Sequence, residues 1–209
     1  MNRVAFVPIR LNNERLPNKN ILRLGFTPMC WHIFDTLLKL DLDKVYVYCS
    51  DQSIKNYIPE GVEFLERSTA LDTSVTKGLE IYKSFVQEVK ADVYVLAHAT
   101  SPFLTSNSIN RGLNAIDEGY DSAFTVSRQQ TFAWFQNKPI NYQPTDIPRT
   151  QDIEPVFIET SGAYIFTKDV IDSSRRIGDR PFLIELNPME AIDIDTQEDF
   201  DLALQMAKA

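Results

Sequence analysis

Apolar residues along this chain fall into two alternating kinds of run. Short, near-continuous runs recur at Val4 to Ile9, Val45 to Cys49, Val93 to Ala97 and Ala123 to Val126, and Val62 to Leu65 adds a weaker one. Their brevity and their β-branched and aromatic content predict strands. Between them lie stretches with apolar positions at helical spacing, at Met29 to Leu40, Val75 to Val89 and Ile109 to Ile116. In the second, Leu79, Ile81, Tyr82, Phe85, Val86 and Val89 form the apolar stripe; for the third, Ser106 or Asn107 offers the cap. Strands alternating with helices predict parallel βαβ units in a three-layer α/β/α sandwich. Continuous apolar runs suit strands covered on both faces. Right-handed crossovers then gather the loops that follow the strands along one sheet edge, where α/β ligands sit.

The rhythm breaks after Val126. Residues 128–160 carry Pro139, Pro144, Pro148 and Pro155 among Phe132, Trp134, Phe135, Tyr142 and Phe157. That mixture predicts irregular β structure, either an arm projecting from the sheet or an ordinary edge hairpin with loops. Ala163 to Phe166, Phe182 to Leu186 and Ala191 to Ile194 resume as short strands. Thr196 caps a final helix reaching Met206, with Glu198, Asp199 and Asp201 near its positive end. With no repeat and no second full domain, 1–209 reads as a single domain.

Composition narrows the function classes. A formal net charge of −8 argues against a nucleic-acid polymer as partner. No apolar run approaches the ~18 residues of a membrane span. The opening MNRVAFVPIR predicts no secretion leader, so the chain is expected to be cytoplasmic, away from membranes. Cys30 and Cys49 then read as reduced thiols, and with only His32 and His98 a His-rich metal site is excluded. The charge is unevenly spread. Residues 1–23 hold Arg3, Arg10, Arg15, Lys19 and Arg23 against Glu14 alone. Residues 185–201 hold Glu185, Glu190, Asp193, Asp195, Glu198, Asp199 and Asp201 with no Lys or Arg. Apart, each is a solvated face; meeting at one pocket, they suit a polyphosphate with a divalent cation.

The segment VPIRLNNERLPNKNI, Val7 to Ile21, spaces Arg10, Arg15 and Lys19 along a loop that follows a strand. Arg presents a planar fork to phosphate oxygens and Lys a compact charge. Backbone amides from Leu11 to Asn13 offer an anion nest. The segment is neither GxGxxG nor GxxxxGK[ST], so dinucleotide-fingerprint and P-loop readings fail. It resembles the N-terminal signature of the sugar-activating cytidylyltransferases, commonly I-P-A-R-x-G-S-K-R-L-P-x-K-N. That group includes acylneuraminate, CMP-pseudaminate, CMP-legionaminate and CMP-Kdo synthetases. The resemblance implies that Arg10, Arg15 and Lys19 contact the triphosphate. It implies that Pro8, Leu11, Asn12, Asn13 and Asn20 hold cytosine and ribose, and Pro17 completes the match. Asn12-Asn13 replaces the usual Gly-Ser, and Glu14 stands where sialate-type members place a lysine. Kdo-type members also lack that lysine and use the Arg-Leu-Pro-x-Lys portion, intact here as Arg15 to Lys19.

Further segments resemble the same family in order. LDTSV, Leu71 to Val75, is similar to S-D-T-x-x, a turn capping a helix beneath the nucleotide, with Asp72 or Thr73 as cap. LAHATSPFLT, Leu96 to Thr105, is similar to L-L-Q-P-T-S-P-L-R; Thr100, Ser101 and Pro102 match. His98 replaces Gln and Leu104 replaces Arg, positions that face the substrate in the family. His98 is either a hydrogen-bond partner of nucleotide or sugar or a strand-end structural histidine, and His32 reads as structural. PRTQDIEPVFIETSGAYIF, Pro148 to Phe166, resembles R-x-Q-D-x-x-P followed by N-G-A-I-Y. Arg149 and Gln151 would reach the sugar or its carboxylate. Ser161 replaces Asn, and Gly162 marks the substrate pocket or a tight backbone position beside it. EAIDIDTQEDFDLA, Glu190 to Ala203, resembles D-I-D-T-x-x-D. Asp193 and Asp195 would share one strand face and hold Mg²⁺ with phosphate oxygens.

The resemblance spans nearly the whole chain. It implies a Rossmann-like nucleotidyltransferase sandwich with a mostly parallel sheet and a dimerisation arm at 128–160. It implies a homodimer whose arm completes the partner's sugar pocket. The implied reaction is CTP plus an ulosonic acid giving a CMP-sugar and pyrophosphate, in surface-polysaccharide biosynthesis. Two neighbouring readings stay open: a nucleotidyltransferase with another nucleotide or sugar, and a nucleotide-binding homologue without turnover.

Overall fold

The computed structural model describes residues 1–13 and 15–207; the Glu14 replacement lies outside the described residues. The chain begins with β1 (Arg3–Ile9), passes through a hairpin of β2 (Arg23–Leu24) and β3 (Thr27–Pro28), and enters α1 (Met29–Leu37). β4 (Lys44–Cys49), β5 (Val62–Glu66), α2 (Gly78–Glu88), β6 (Val93–Ala97), α3 (Ser106–Asp117) and β7 (Ser122–Gln129) follow. A short hairpin of β8 (Trp134–Phe135) and β9 (Lys138–Pro139) precedes β10 (Val156–Thr167), α4 (Lys168–Asp172), β11 (Pro181–Leu186) and α5 (Gln197–Met206).

Seven strands form one sheet in the order β11–β7–β10–β6–β1–β4–β5. β10 runs antiparallel to both neighbours, and every other pairing in that sheet is parallel. Side chains alternate strictly between the two faces. Ala5, Val7, Val47, Val95 and Ile165 pack beneath Ile33, Phe34 and Leu37 of α1 and Ile109 and Leu113 of α3. Phe6, Tyr48, Tyr94 and Tyr164 pack beneath Tyr82 and Phe85 of α2 and Val170 of α4, with Phe6 and Phe85 stacked at 4.1 Å. This is the three-layer, mostly parallel α/β/α sandwich that the pattern predicts. A third cluster joins Leu16 and Leu24 from the start of the chain to Ile194, Phe200 and Ala203 from its end. It holds the basic loop after β1 against the acidic segment before α5.

Several local expectations are corrected. α1 stops at Leu37, and Leu40 and Leu42 reach the core from the turn beyond it. α2 begins at Gly78 behind Lys77, with no side-chain cap; Asp72 instead closes the 3-10 turn Thr69–Leu71. Neither Asp72 nor Thr73 therefore caps the helix. Thr105, rather than Ser106 or Asn107, caps α3, its hydroxyl accepting from Ser108 N at 3.3 Å. Ala191 to Ile194 forms no strand, so Asp193 and Asp195 share no strand face: Ala191 N and Ile192 N close turns onto Asn187 O and Met189 O, and only Ile194 N reaches the loop after β6, at Thr100 O, 2.8 Å. The break from the sheet is shorter than 128–160, since β7 runs to Gln129 and β10 resumes at Val156. Among the described residues no helix is long and apolar enough to cross a membrane.

Candidate active site

The loops after β1, β5 and β6 and the segment before α5 converge at one sheet edge. Arg10, the residue after β1, stands at their junction. Its guanidinium donates to Asp72 O at 3.2 Å, and its own carbonyl accepts from Asn20 Nδ2 at 2.9 Å. It lines three hollows. A cleft of about 400 Å³ includes Pro8, Arg67, Thr73, Tyr82 and His98. A hollow of about 240 Å³ includes Asn13, Arg15, Lys19 and Asp195. Another of about 400 Å³ includes Leu11, Asn12, Ser50 and Asp72.

The two charged ends of the chain meet in the second hollow. Lys19 Nζ donates to Asp195 Oδ1 at 2.7 Å and Arg15 Nη1 to Asp195 Oδ2 at 2.8 Å. Lys19 is 8% exposed, so its ammonium has little water to compensate it. The bond from Lys19 holds the Asp195 carboxyl below the usual carboxylate range, with Arg15 adding to the effect. Asp193 shifts the other way. Loss of surrounding water pushes its carboxyl up and Asp195 adds repulsion, against the Thr100 hydroxyl, Lys19 and His98. Two carboxylates that repel each other beside Lys19 and Arg15 are of the chemistry Mg²⁺ accepts, since the ion takes one or two carboxylates with other oxygen donors. Among the described residues no cluster of three or more His, Cys, Asp or Glu side chains could hold a metal without such outside donors.

Arg67 is the site residue that sequence reasoning missed. It follows β5, is 2% exposed, and donates from Nη2 to Asp72 Oδ1 at 2.6 Å. Among the described residues its Nε is buried with no partner, as is Asn13 Oδ1. An arginine just beyond a strand on the ligand-bearing edge was the available signal, but no motif drew attention to it.

His98 ends β6. Its Nδ1 meets the Ser161 carbonyl, which accepts only, so Nδ1 carries the proton. Nε2 is left as acceptor toward the Tyr82 hydroxyl, 3.4 Å away. Burial pushes the imidazole down, against the Ser161 bond that favours protonation, so the ring stays neutral. Ser161 reaches this position through a left-handed backbone, φ 58°, where the β10 register slips between Glu159 and Tyr164. Gly162 is a tight packing position: a Cβ there would lie 3.3 Å from Ser101 Oγ and from Thr125 Oγ1. Ser101 and Leu104, at 2% and 1% exposure, form the wall behind the site, so Leu104 presents no side chain to a ligand in this conformation. Arg149 and Gln151 lie in or beside the 3-10 turn Thr150–Asp152, outside the cleft. There Arg149 Nε donates to Asp152 Oδ2 at 2.7 Å.

A family model described as cytidylyltransferase matches residues 4–208. An N-acylneuraminate cytidylyltransferase A of Danio rerio is 27% identical over 96% of this chain and 50% of its own length. An N-acylneuraminate cytidylyltransferase of Streptococcus agalactiae is 22% identical over 96% of this chain and 52% of its own. The chain thus spans about half the length of the curated relatives it matches. Among solved structures, a CMP:2-keto-3-deoxy-manno-octonic acid synthetase complexed with CTP superposes at a TM-score of 0.73. It is 16% identical and covers 100% of this chain and 99% of that one, a likeness of fold.

Proposed function

This chain belongs to the cytidylyltransferase family, and we propose that it transfers CMP from CTP to an ulosonic, sialic-acid-like sugar acid and releases pyrophosphate. The observation that carries this reading is the convergence of Arg10, Arg15 and Lys19 with Asp195 at one hollow, with Asp193 near enough to feel the charges of Asp195 and Lys19. A polyphosphate is the ligand that such a cation set fits, and the acidic pair explains why it would arrive with a divalent ion.

The anomeric hydroxyl of the acceptor forms a bond to the α-phosphorus as the α–β bridging bond breaks. Pyrophosphate departs with the charge of the leaving oxygen, and the hydroxyl proton passes to solvent. Arg10, Arg15 and Lys19 stabilise that charge by position rather than by covalent chemistry. Asp193 and Asp195 would hold Mg²⁺, which when bound neutralises charge on phosphate oxygens. Asn20 fixes the Arg10 backbone and with it the start of the loop from Leu11 to Asn13, where the Asn13 amide is bonded to Leu11 O at 3.1 Å. The partnerless Nε of Arg67 is a donor awaiting an acceptor, and cytosine presents two, O2 and N3.

The reading extends to a cytoplasmic homodimer supplying activated sugar acids for surface polysaccharide. Trp134, Phe135, Ile140 and Ile147 are 54–66% exposed on the arm, an apolar surface a second copy would cover. Arg149 and Gln151 lie on that same arm, where they would reach a partner's acceptor site.

Calorimetry with CTP, UTP and GTP, paired with a pyrophosphate assay, tests the proposal. CTP-selective binding and Mg²⁺-dependent release with one acid of a sialic, legionaminic, pseudaminic and Kdo-type panel is expected. CTP binding without release from any acid would favour a non-catalytic homologue.

A further inference from the structure

We propose that Arg176, in the loop after α4, recognises the carboxylate of the sugar-acid acceptor; the assignment rests on the CMP-transfer reading above. The guanidinium lies 3.9 Å over the Tyr164 ring, and Nη2 makes one long contact, 3.3 Å, to Glu159 Oε2. That carboxylate is already taken at 2.7 Å by the Tyr164 hydroxyl. The Tyr164 ring stands 6.3 Å from the His98 ring, and His98 and Tyr82 line the cleft. Arg176 therefore extends the cleft wall by one aromatic ring. Burial raises the Tyr82 hydroxyl and lowers the His98 imidazole; the nearby Arg176 charge opposes the first shift and adds to the second.

The chemistry of this group is specific. A guanidinium stacked on an aromatic face has its plane fixed and its edge free, the geometry that binds a carboxylate through two parallel bonds. With a side chain 35% exposed, Arg176 contacts Glu159 at 3.3 Å and reaches toward the Tyr82 hydroxyl, which leaves others of its five N–H donors for a ligand. The other cations of the site have separate work. Arg15 and Lys19 face Asp195, and Arg67 is bound to Asp72. Arg149, on the arm, is paired with Asp152. An ulosonic acid carries its one full charge on a carboxylate attached to the anomeric carbon. Arg176 supplies its counterpart from within the same chain, on the His98 side of the cleft.

Steady-state kinetics on wild type, R176L and R176Q, using the acid that wild type accepts and the carboxamide of that acid, tests the assignment. R176L is expected to raise the acceptor KM about tenfold or more, with the CTP KM unchanged within about twofold. It is also expected to erase the preference for acid over carboxamide, which a purely structural role would leave intact. R176Q, which keeps a polar end but neither the charge nor the reach of the guanidinium, serves if R176L does not fold. Retained acceptor KM and retained preference overturn the assignment while CMP transfer stands. Absence of pyrophosphate from wild type with every acid, with CTP still binding, overturns the transfer reading and this assignment with it.

Discussion

Lys19 Nζ lies 2.7 Å from Asp195 Oδ1, joining residues 176 positions apart in the chain. The contact is supported from below by the cluster of Leu16, Leu24, Ile194 and Phe200. Thr196 and Asp199 fix the acidic segment from the other side through a reciprocal capping box at the start of α5. A net charge of −8, which argues against a nucleic-acid polymer, is thus compatible with an anionic small-molecule ligand, because the cations are concentrated where the acidic segment meets them.

Asp195→Asn tests the double role of this carboxylate. The amide keeps the shape but leaves the nearly buried Lys19 ammonium without its counter-charge. A fall of about 2–6 °C in Tm is expected, corresponding to ~1–2 kcal/mol for a domain of this size. Turnover is expected to fall at least ~100-fold. Thermal unfolding and a pyrophosphate assay measure both, and unchanged turnover would remove Asp195 from the site.

Arg67→Lys keeps the charge and loses the planar fork. Lysine cannot reproduce both the 2.6 Å bond to Asp72 and the buried Nε donor. CTP affinity is expected to weaken about tenfold by calorimetry. A Kd within about twofold of wild type would assign Arg67 to structure alone.

Glu190 gives a pH dependence of stability. The residue is 7% exposed, and its Oε1 accepts from the Thr105 hydroxyl at 2.6 Å and the Ser108 hydroxyl at 2.7 Å. Burial raises its carboxyl, but the bonds from Thr105, Ser108 and Asn187 outweigh this and hold it below the ordinary value of 4.5. Its contribution is therefore complete above pH ~4.5 and is lost as pH falls through the depressed folded value. Glu190→Gln is expected to cost about 1–2 kcal/mol in urea unfolding at pH 7. The difference from wild type should shrink below pH ~4.5; a difference that grows there would contradict the account.

Cys30 and Cys49 are both fully buried, and burial pushes the Cys30 thiol up to about 12 and the Cys49 thiol upward. Neither should react with a water-soluble disulfide reagent at pH 8 until the protein is unfolded, when both should titrate. Rapid labelling of the native protein would show that the core under α1 opens.

The sandwich was legible in the sequence where burial on both faces made apolar runs continuous, as at Val93 to Ala97, which is a strand over the same residues. The charge division between the chain's ends was legible too, and its meeting point is Asp195. Ala191 to Ile194 misled because an apolar-acidic alternation marks a strand only when a neighbouring strand accepts its bonds, and here Thr100 offers one carbonyl. The resemblance implies Asp72 or Thr73 as a helix cap, but α2 starts behind Lys77 with no side-chain cap and the nearby Arg67 draws the Asp72 carboxylate. Arg67 and Arg176 were illegible because each owes its position to partners supplied by the fold. Those partners are the Tyr48 carbonyl and Asp72 for one, and the Tyr164 ring and Glu159 for the other.

Phosphorus NMR of the protein with CTP, Mg²⁺ and each of the four kinds of sugar acid tests CMP transfer most directly. A phosphodiester resonance of a CMP-sugar, growing with free pyrophosphate in equal amount and lost on chelation, is the predicted result. Intact CTP with every acid, under conditions where calorimetry shows CTP bound, would contradict it.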